Sequence, residues 1–201
     1  MRPIDKDILA ALDSDTEISK DTVVHWIDSA GGDLNTLSNL YRLTDKAYWR
    51  INPELGGEIT CSLIQRYLLE CIRQDVKDNE EIKGRWEAAD TLHLWLRQLL
   101  ETGETSALLN SAAKAITELF VASGEEVRDA IEMGFLEHAL ETAALRPYFE
   151  NWSADPELRE TWERALEWGK AHPDQMWNGL QEIRRISNQK TTRDHPDGEA
   201  H

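Results

Sequence analysis

The stretch 58-EITCSLIQRYLLECIRQDV-76 decides the fold class, because its apolar residues repeat with the period of an α-helix. Their spacings of three and four residues place them on one wide stripe: Ile59, Leu63, Ile64, Tyr67, Leu68, Cys71 and Ile72. The pattern predicts a helix over Glu58–Val76 that buries one face in a core.

The same spacing recurs along most of the chain, and helix-breaking pairs separate the segments: Gly31-Gly32, Asn52-Pro53 and His172-Pro173. No stretch alternates apolar and polar residues between turn signals, so no strand is predicted. We therefore expect an all-α protein of about nine or ten helices, arranged as a solenoid or as an irregular helical bundle. A single domain is expected over 1–186, ending in a helix with Met176 and Trp177. The segment 187–201 has no apolar residue except Ala200 and is predicted to be disordered.

The two cysteines, Cys61 and Cys71, fall ten residues apart on the helix predicted from the opening stretch. At a rise of ~1.5 Å per residue their Cα atoms would lie about 15 Å apart, too far for a disulfide. We predict two buried, reduced thiols, which fits a reducing compartment. The first residues have no signal-peptide pattern, and no apolar run reaches the ~20 residues that cross a bilayer. A cytoplasmic location is the expectation.

The formal net charge of −16 disfavours association with nucleic acid and with anionic lipid. Residues 124–163 hold eleven acidic and three basic side chains, a net charge of −8 and half of the total. Within this segment, carboxylates crowd the predicted short helices: Glu125, Glu126, Asp129, Glu132, Glu137 and Glu141. A partner steered by charge would meet the chain there. The alternative for the same carboxylates is a solvated helix face.

Tryptophan is abundant, with eight residues in 201. Trp86 and Trp95 fall on apolar rows of a predicted helix, and Trp162 falls on another, so all three are expected in the core. Trp168 lies to the side of its apolar stripe. It either packs under the last predicted helix or serves as an exposed interface anchor.

Motifs for chemistry are missing from the sequence. It contains no GxGxxG or GxxxxGK[ST] phosphate loop, no GxSxG elbow and no HExxH pair. His93 lies on an apolar row and is expected to be a hydrogen-bonded core residue. We expect no cofactor.

Met133-Gly134 interrupts the helical pattern of 123-SGEEVRDAIEMGFLEHALE-141. A glycine at the end of a short helix predicts a sharp corner, with the backbone of Gly134 in the left-handed region. Residues 106–143 resemble a piece of an armadillo or HEAT-like helical repeat: a long helix with Ala112, Ala113, Ile116 and Leu119, a short helix with Val127 and Ile131, and a corner at Gly134-Phe135-Leu136. Such families act as binding surfaces, and the resemblance implies that role here.

Two functions follow from the sequence. The first is a non-catalytic protein-interaction module whose acidic surface binds a basic partner protein, without nucleic acid or membrane. Its contact residues would be the six carboxylates named above together with Trp168. The second is an all-helical enzyme that uses clustered carboxylates and a divalent metal ion, which requires carboxylates from facing helices to converge.

Overall fold

The computed structural model describes residues 2–76, 79–102 and 106–173. These residues form nine α-helices, which confirms the all-α class. Their bounds are α1 Pro3–Leu12, α2 Lys20–Ala30, α3 Leu34–Lys46, α4 Gly57–Gln74, α5 Arg85–Thr102, α6 Ser106–Ala122, α7 Glu125–Ile131, α8 Glu137–Glu141 and α9 Arg159–Ala171. The predicted helix at Met176 and the tail 187–201 lie outside the described residues, and the domain bounds remain a prediction.

Short non-α elements complete the described chain. Tyr48–Arg50 and Ala143–Ala154 are 3₁₀ helices, and Glu132–Leu136 is a π-helical segment. Strands β1 (Ile18–Ser19) and β2 (Ile51–Asn52) form a parallel two-stranded ladder. The sequence did not predict these strands, because two residues are too short for any alternation to show.

Helix ends follow their capping residues in part. Asp33 caps α3, since its Oδ1 accepts a hydrogen bond of 2.9 Å from the Thr36 amide. Ser19 occupies the N-cap position of α2, but its side chain makes no capping bond. The sequence Asp155-Pro156-Glu157 has the residues typical of a helix start, but α9 begins later, at Arg159. Asp155 instead closes a local turn, accepting a hydrogen bond from the Glu157 amide at 2.8 Å.

Helix α4 lies in the core, as its stripe predicts. Leu63, Leu68 and Ile72 are completely buried, and the helix contacts α3, α5, α6 and α7. Cys61 and Cys71 are both buried and neither forms a disulfide, which confirms the prediction for the thiols. Burial raises the pKa of the Cys71 thiol to about 12, so this sulfur stays protonated and unreactive.

The predicted corner at Gly134 is wrong. Helix α7, the π-helical segment and α8 follow one another without a break from Glu125 to Glu141, and Gly134 has no positive φ. The glycine serves packing instead: a Cβ built there would lie 3.0 Å from the Ala89 Cβ and 3.2 Å from the Trp86 Cε3. Met133-Gly134, which interrupts the apolar spacing in the sequence, lies in the π-helical segment. A π turn holds one more residue than an α turn, so the helix continues through the interruption. The corner at Gly134-Phe135-Leu136 therefore no longer supports the resemblance to an armadillo-like repeat. The rest of that resemblance stays a prediction.

Helix α9 packs on α8 at a point of close backbone contact. A Cβ on Gly169 would lie 2.6 Å from the Leu140 carbonyl oxygen. The Arg146 guanidinium joins the same two helices, donating to the carbonyl oxygens of Leu140 at 2.8 Å and Gly169 at 3.3 Å. Trp162 on α9 is buried, as predicted. These contacts fix α9 against the helix that carries Glu137 and Glu141 of the predicted acidic site.

Candidate functional site

The predicted acidic residues lie along α7, the π-helical segment and α8, but the chain itself uses several of them. Glu132 is held by Arg164 of α9 through two parallel bonds, Nε to Oε1 at 2.6 Å and Nη2 to Oε2 at 2.8 Å. The same guanidinium bonds Glu160 at 2.7 Å. This fork fixes a carboxylate in place, and the bond to Glu132 raises the pKa of Arg164. Glu132 therefore ties α9 to the π-helical segment.

Glu126 is the second carboxylate with an internal partner. Its Oε2 lies 2.8 Å from Nη1 of Arg85, whose side chain is only 10% exposed. Arg85 also donates through Nε to the Ile72 carbonyl oxygen at 2.8 Å. Asp75 also helps to position Arg85, because its Oδ1 accepts a hydrogen bond from the Arg85 amide at 3.0 Å. The bridge joins the end of α4, the start of α5 and α7, and it neutralises part of the predicted acidic surface.

Glu141 and Trp168 form a single local arrangement. The Glu141 Oε1 accepts a hydrogen bond from the Trp168 indole Nε1 at 3.3 Å and lies 2.9 Å from the His138 Nδ1. The Trp168 ring stacks on His172, with 4.0 Å between ring centroids. Trp168 remains 40% exposed, so it lies at the surface, although its polar edge is occupied. The alternative of packing under a helix near Met176 lies outside the described residues.

Three of the predicted carboxylates are not paired with another side chain of the described chain and could contact a partner: Glu125, Asp129 and Glu137. Among the described residues, none of them has a hydrogen bond or an ion pair from its side chain. Burial raises the pKa of Glu137, and the neighbouring Glu132 and Glu141 raise it further. A cation brought close to Glu137 would relieve this unfavourable environment.

Trp86 is the main difference from the sequence prediction, which placed it in the core. Its side chain is 51% exposed, whereas Trp95, on the same helix, is buried as predicted. The buried side of α5 is the row that includes Ala88, Leu92 and Leu99. Trp86 and the exposed Asp90 and Leu94 instead repeat every four residues along the outer side. Asp90 between two apolar residues was the signal that this row faces solvent.

The Trp86 indole lies against the π-helical segment at Gly134, and we give the name Trp86 face to residues near this contact along the two segments: Trp86, Asp90, Asp129, Met133 and Glu137. Gly134 allows α5 and the π-helical segment to approach closely. The Trp86 ring lies near the position that a side chain at residue 134 would occupy. Met133, the adjacent residue, is 45% exposed. Asp129 and Glu137 lie four residues before and after Met133, and Asp90 lies one turn beyond Trp86. Trp86 and Met133 are both exposed, and each of the three carboxylates lies about one helical turn along the chain from one of them.

His93 is half-buried, with 14% of its side chain exposed, and within the described chain it lacks the hydrogen bond that was expected. Its Nδ1 is enclosed and has no hydrogen-bond partner within the described chain, and the nearest carboxylate oxygen, from Asp90, is 3.4 Å away. The ring lies against that of His138, with 5.5 Å between centroids. Burial lowers the pKa of His93, and its neutral form is therefore favoured in the fold.

A metal centre has no support from the part of the chain that the structure describes, where no group of three or more His, Cys, Asp or Glu side chains could hold an ion. Glu126 and Glu132 are instead paired with arginine, and Glu141 is bonded to His138 and Trp168. The metal-dependent alternative therefore stays a prediction from the sequence alone.

The described helices include none long and apolar enough to cross a membrane. Comparisons with models of protein families, with curated proteins and with solved structures found no match. The function must therefore be argued from the geometry of the surface.

Proposed function

We propose that this chain is a non-catalytic protein-interaction module that binds a basic partner protein in the cytoplasm through the Trp86 face. The observation that supports it best is the exposed indole of Trp86, which lies against the segment that carries the exposed Met133, with a carboxylate about one helical turn along the chain from each of them. Tryptophan is the side chain most enriched among residues that dominate binding energy in interfaces.

The composition of the Trp86 face specifies the kind of partner. An apolar centre requires an apolar side chain in the partner, which would cover the indole and the thioether. The bordering carboxylates of Asp90, Asp129 and Glu137 require lysine or arginine around that apolar residue. A helix or extended segment with one large apolar residue flanked by basic residues meets both requirements.

The net charge of −16 supports the same partner through long-range attraction. Charge accelerates the encounter of oppositely charged surfaces and disfavours nucleic acid, whose phosphates would be repelled. The paired carboxylates contribute little to this field at short range, since Arg85 and Arg164 already neutralise Glu126 and Glu132. The contact set is therefore smaller than the sequence indicated, and it is centred on Trp86 rather than on Trp168.

The proposal is tested by site-specific photocrosslinking in the source cell. A photoreactive phenylalanine analogue replaces Met133 in one variant and Trp49 in a second. Trp49 is a suitable control because it is the more exposed aromatic, at 69%, and belongs to the 3₁₀ helix after α3. We expect one discrete adduct from position 133, containing a protein with a basic segment at the crosslinked peptide.

The contrasting outcomes are equally clear. Adducts that form only from position 49 would place the interface at the 3₁₀ helix after α3 instead of at the Trp86 face. A discrete adduct at position 133 whose crosslinked segment is acidic or neutral would contradict the charge argument. An absence of adducts from both positions, with both variants folded and expressed, would contradict the interaction module itself.

A further inference from the structure

A cavity of about 520 Å³ lies between α1, α3 and the segment 79–82, away from the Trp86 face. Leu9 and Ile82 supply apolar wall, and the rest of the lining is polar. The polar side chains of α3 in this wall are Asn35, Ser38, Asn39 and Arg42. Their spacing of three, four and seven residues puts them on a single face of the helix.

A helix face that lies between two neighbouring elements is normally apolar, because it closes against them. Here that face carries two carboxamides, a hydroxyl and a guanidinium, and the space beside it stays open. Part of the polarity has a structural role. Ser38 donates to the Glu81 carbonyl oxygen at 2.5 Å, and Asn79 donates to the Asn35 side-chain oxygen at 3.2 Å. These bonds hold the segment 79–82 against α3.

The buried Asp5 at one end of the cavity is also satisfied within the chain. Its Oδ1 accepts from the Thr36 hydroxyl at 2.6 Å, and its Oδ2 accepts from the Arg2 amide at 3.0 Å. The Arg2 guanidinium lies close by, bonding the Thr36 hydroxyl at 3.3 Å. This end of the cavity is therefore electrically balanced and needs no ligand.

On this face of α3, Arg42 and Asn39 are the two side chains whose hydrogen-bonding groups are not all satisfied within the described chain. Within the described chain, the Arg42 guanidinium has one partner, Glu81, whose Oε2 lies 2.9 Å from Nη1. The Arg42 Nε is enclosed and has no acceptor. The Asn39 carboxamide has no hydrogen bond from its side chain to any described residue. A guanidinium offers five donors, and a carboxamide offers both donors and an acceptor.

We propose that this cavity binds a small monocarboxylate that also carries an amide group, with the carboxylate on Arg42 and the amide on Asn39. The side chain of Glu81 is 60% exposed and acts as the stand-in for the ligand's carboxylate. When the ligand binds, Glu81 moves into solvent, and the guanidinium turns toward the cavity and gains a bidentate partner. The nearby Glu81 carboxylate disfavours a doubly charged phosphate, since Arg42 is the one cation among the described residues that line the cavity.

A matched pair of probes isolates the carboxylate. N-acetylalanine and N-acetylalaninamide have the same size and the same acetamido group, and differ in the carboxylate alone. Ligand-observed NMR titration is run up to about 10 mM of each probe, which covers millimolar dissociation constants. We expect N-acetylalanine to bind and the amide to bind about tenfold or more weakly, as the loss of a charged hydrogen-bonded pair predicts.

Two variants identify the residues, with a third as control. Arg42→Gln should abolish binding of N-acetylalanine. Glu81→Gln should tighten it, because the internal competitor loses its charge. Arg164→Gln removes a paired arginine from α9 and should change nothing. Circular dichroism of each variant verifies that the helices are retained.

Three results would overturn this proposal. The first is no binding of N-acetylalanine to the unmodified chain at the highest concentration. The second is equal binding of the acid and the amide. The third is unchanged or weaker binding by a folded Glu81→Gln variant, a result that holds even if Arg42→Gln fails to fold.

Discussion

Gly169 of α9 lies directly on the backbone of Leu140 in α8, so closely that a Cβ at position 169 would be 2.5 Å from the Leu140 carbonyl carbon. No flexible side chain is present to move aside, because the atoms in the way belong to the main chain. The contact sets the separation of the two helices. The Arg146 bonds to both carbonyl groups and the Trp168–Glu141 bond depend on that separation.

Substitution Gly169→Ala should lower the free energy of unfolding by about 2 kcal/mol, because the overpacking penalty exceeds the gain in helix propensity. Urea denaturation followed by circular dichroism measures the change. Lys170→Ala is the matched control, since it places the same methyl side chain at the next, exposed position of α9 and should be nearly neutral. A Gly169→Ala variant as stable as the control would show that α9 is not seated this closely.

The two members of the bridge between the buried Arg85 and the exposed Glu126 should differ in the stability lost when each is removed. Arg85→Met should cost about 3 kcal/mol, because the Ile72 carbonyl and the neighbouring carboxylates lose a buried cation. Glu126→Gln should cost less than about 1 kcal/mol, since that side chain is 86% exposed. Denaturation curves of the two variants give the comparison. Equal costs would contradict the assignment of Arg85 as the structural member.

Acidification should destabilise the fold through His93. Burial lowers its pKa in the folded state, and the nearby His138 and Arg97 lower it further, against Asp90 and Glu141. Below the unfolded-state pKa of about 6.5, the unfolded chain therefore binds a proton that the folded chain does not. Stability should fall as the pH drops through that value. The urea midpoint measured from about pH 7.5 to about pH 5.5 follows this loss.

Substitution of His93 isolates its share of the pH dependence. His93→Gln should flatten the fall of the midpoint between neutral and mildly acidic pH. His25→Gln, at an exposed position of α2, is the control and should leave the slope unchanged. An identical slope in the two variants would mean that His93 is solvated in the folded chain.

Gly134 and Ala89 should be energetically coupled. Alanine at position 134 gains about 1 kcal/mol in helix propensity but brings its Cβ to 3.0 Å from that of Ala89. The penalty of that contact disappears when Ala89 is replaced by glycine. A double-mutant cycle should therefore show Gly134→Ala to be more favourable by about 1 kcal/mol in the Ala89→Gly background. Additive effects would place the two helices farther apart than the structure has them.

The helical class could be predicted from the sequence because burial on α4 follows the spacing of its apolar residues. The predictions for Trp95, Trp162 and the two cysteines succeeded for the same reason. Trp86 failed although Ala89 and Leu96, on its predicted row, are buried, because Trp86 also lies on the outer row with the exposed Asp90 and Leu94. Gly134 failed because a glycine required by close interhelical packing looks the same in a sequence as one required by a turn.

The candidate site was predicted less well than the fold. The local density of carboxylates was visible in the sequence, but their pairing was not, since Arg85 lies 41 residues before Glu126 and Arg164 lies 32 residues after Glu132. One sequence gives no information on contacts at such separation. The same reason explains the cavity beside Arg42, whose walls come from three separate segments of the chain.

The most direct test of the proposed function is the dissociation constant of the crosslinked partner for three forms of the chain: unmodified, Trp86→Ala and Trp49→Ala. The account predicts that Trp86→Ala weakens binding by about 2 kcal/mol, close to thirtyfold, and that Trp49→Ala leaves it unchanged. Added salt should weaken binding of the unmodified chain, because carboxylates face basic residues. Equal affinity of the unmodified and Trp86→Ala chains, or a loss confined to Trp49→Ala, would contradict it.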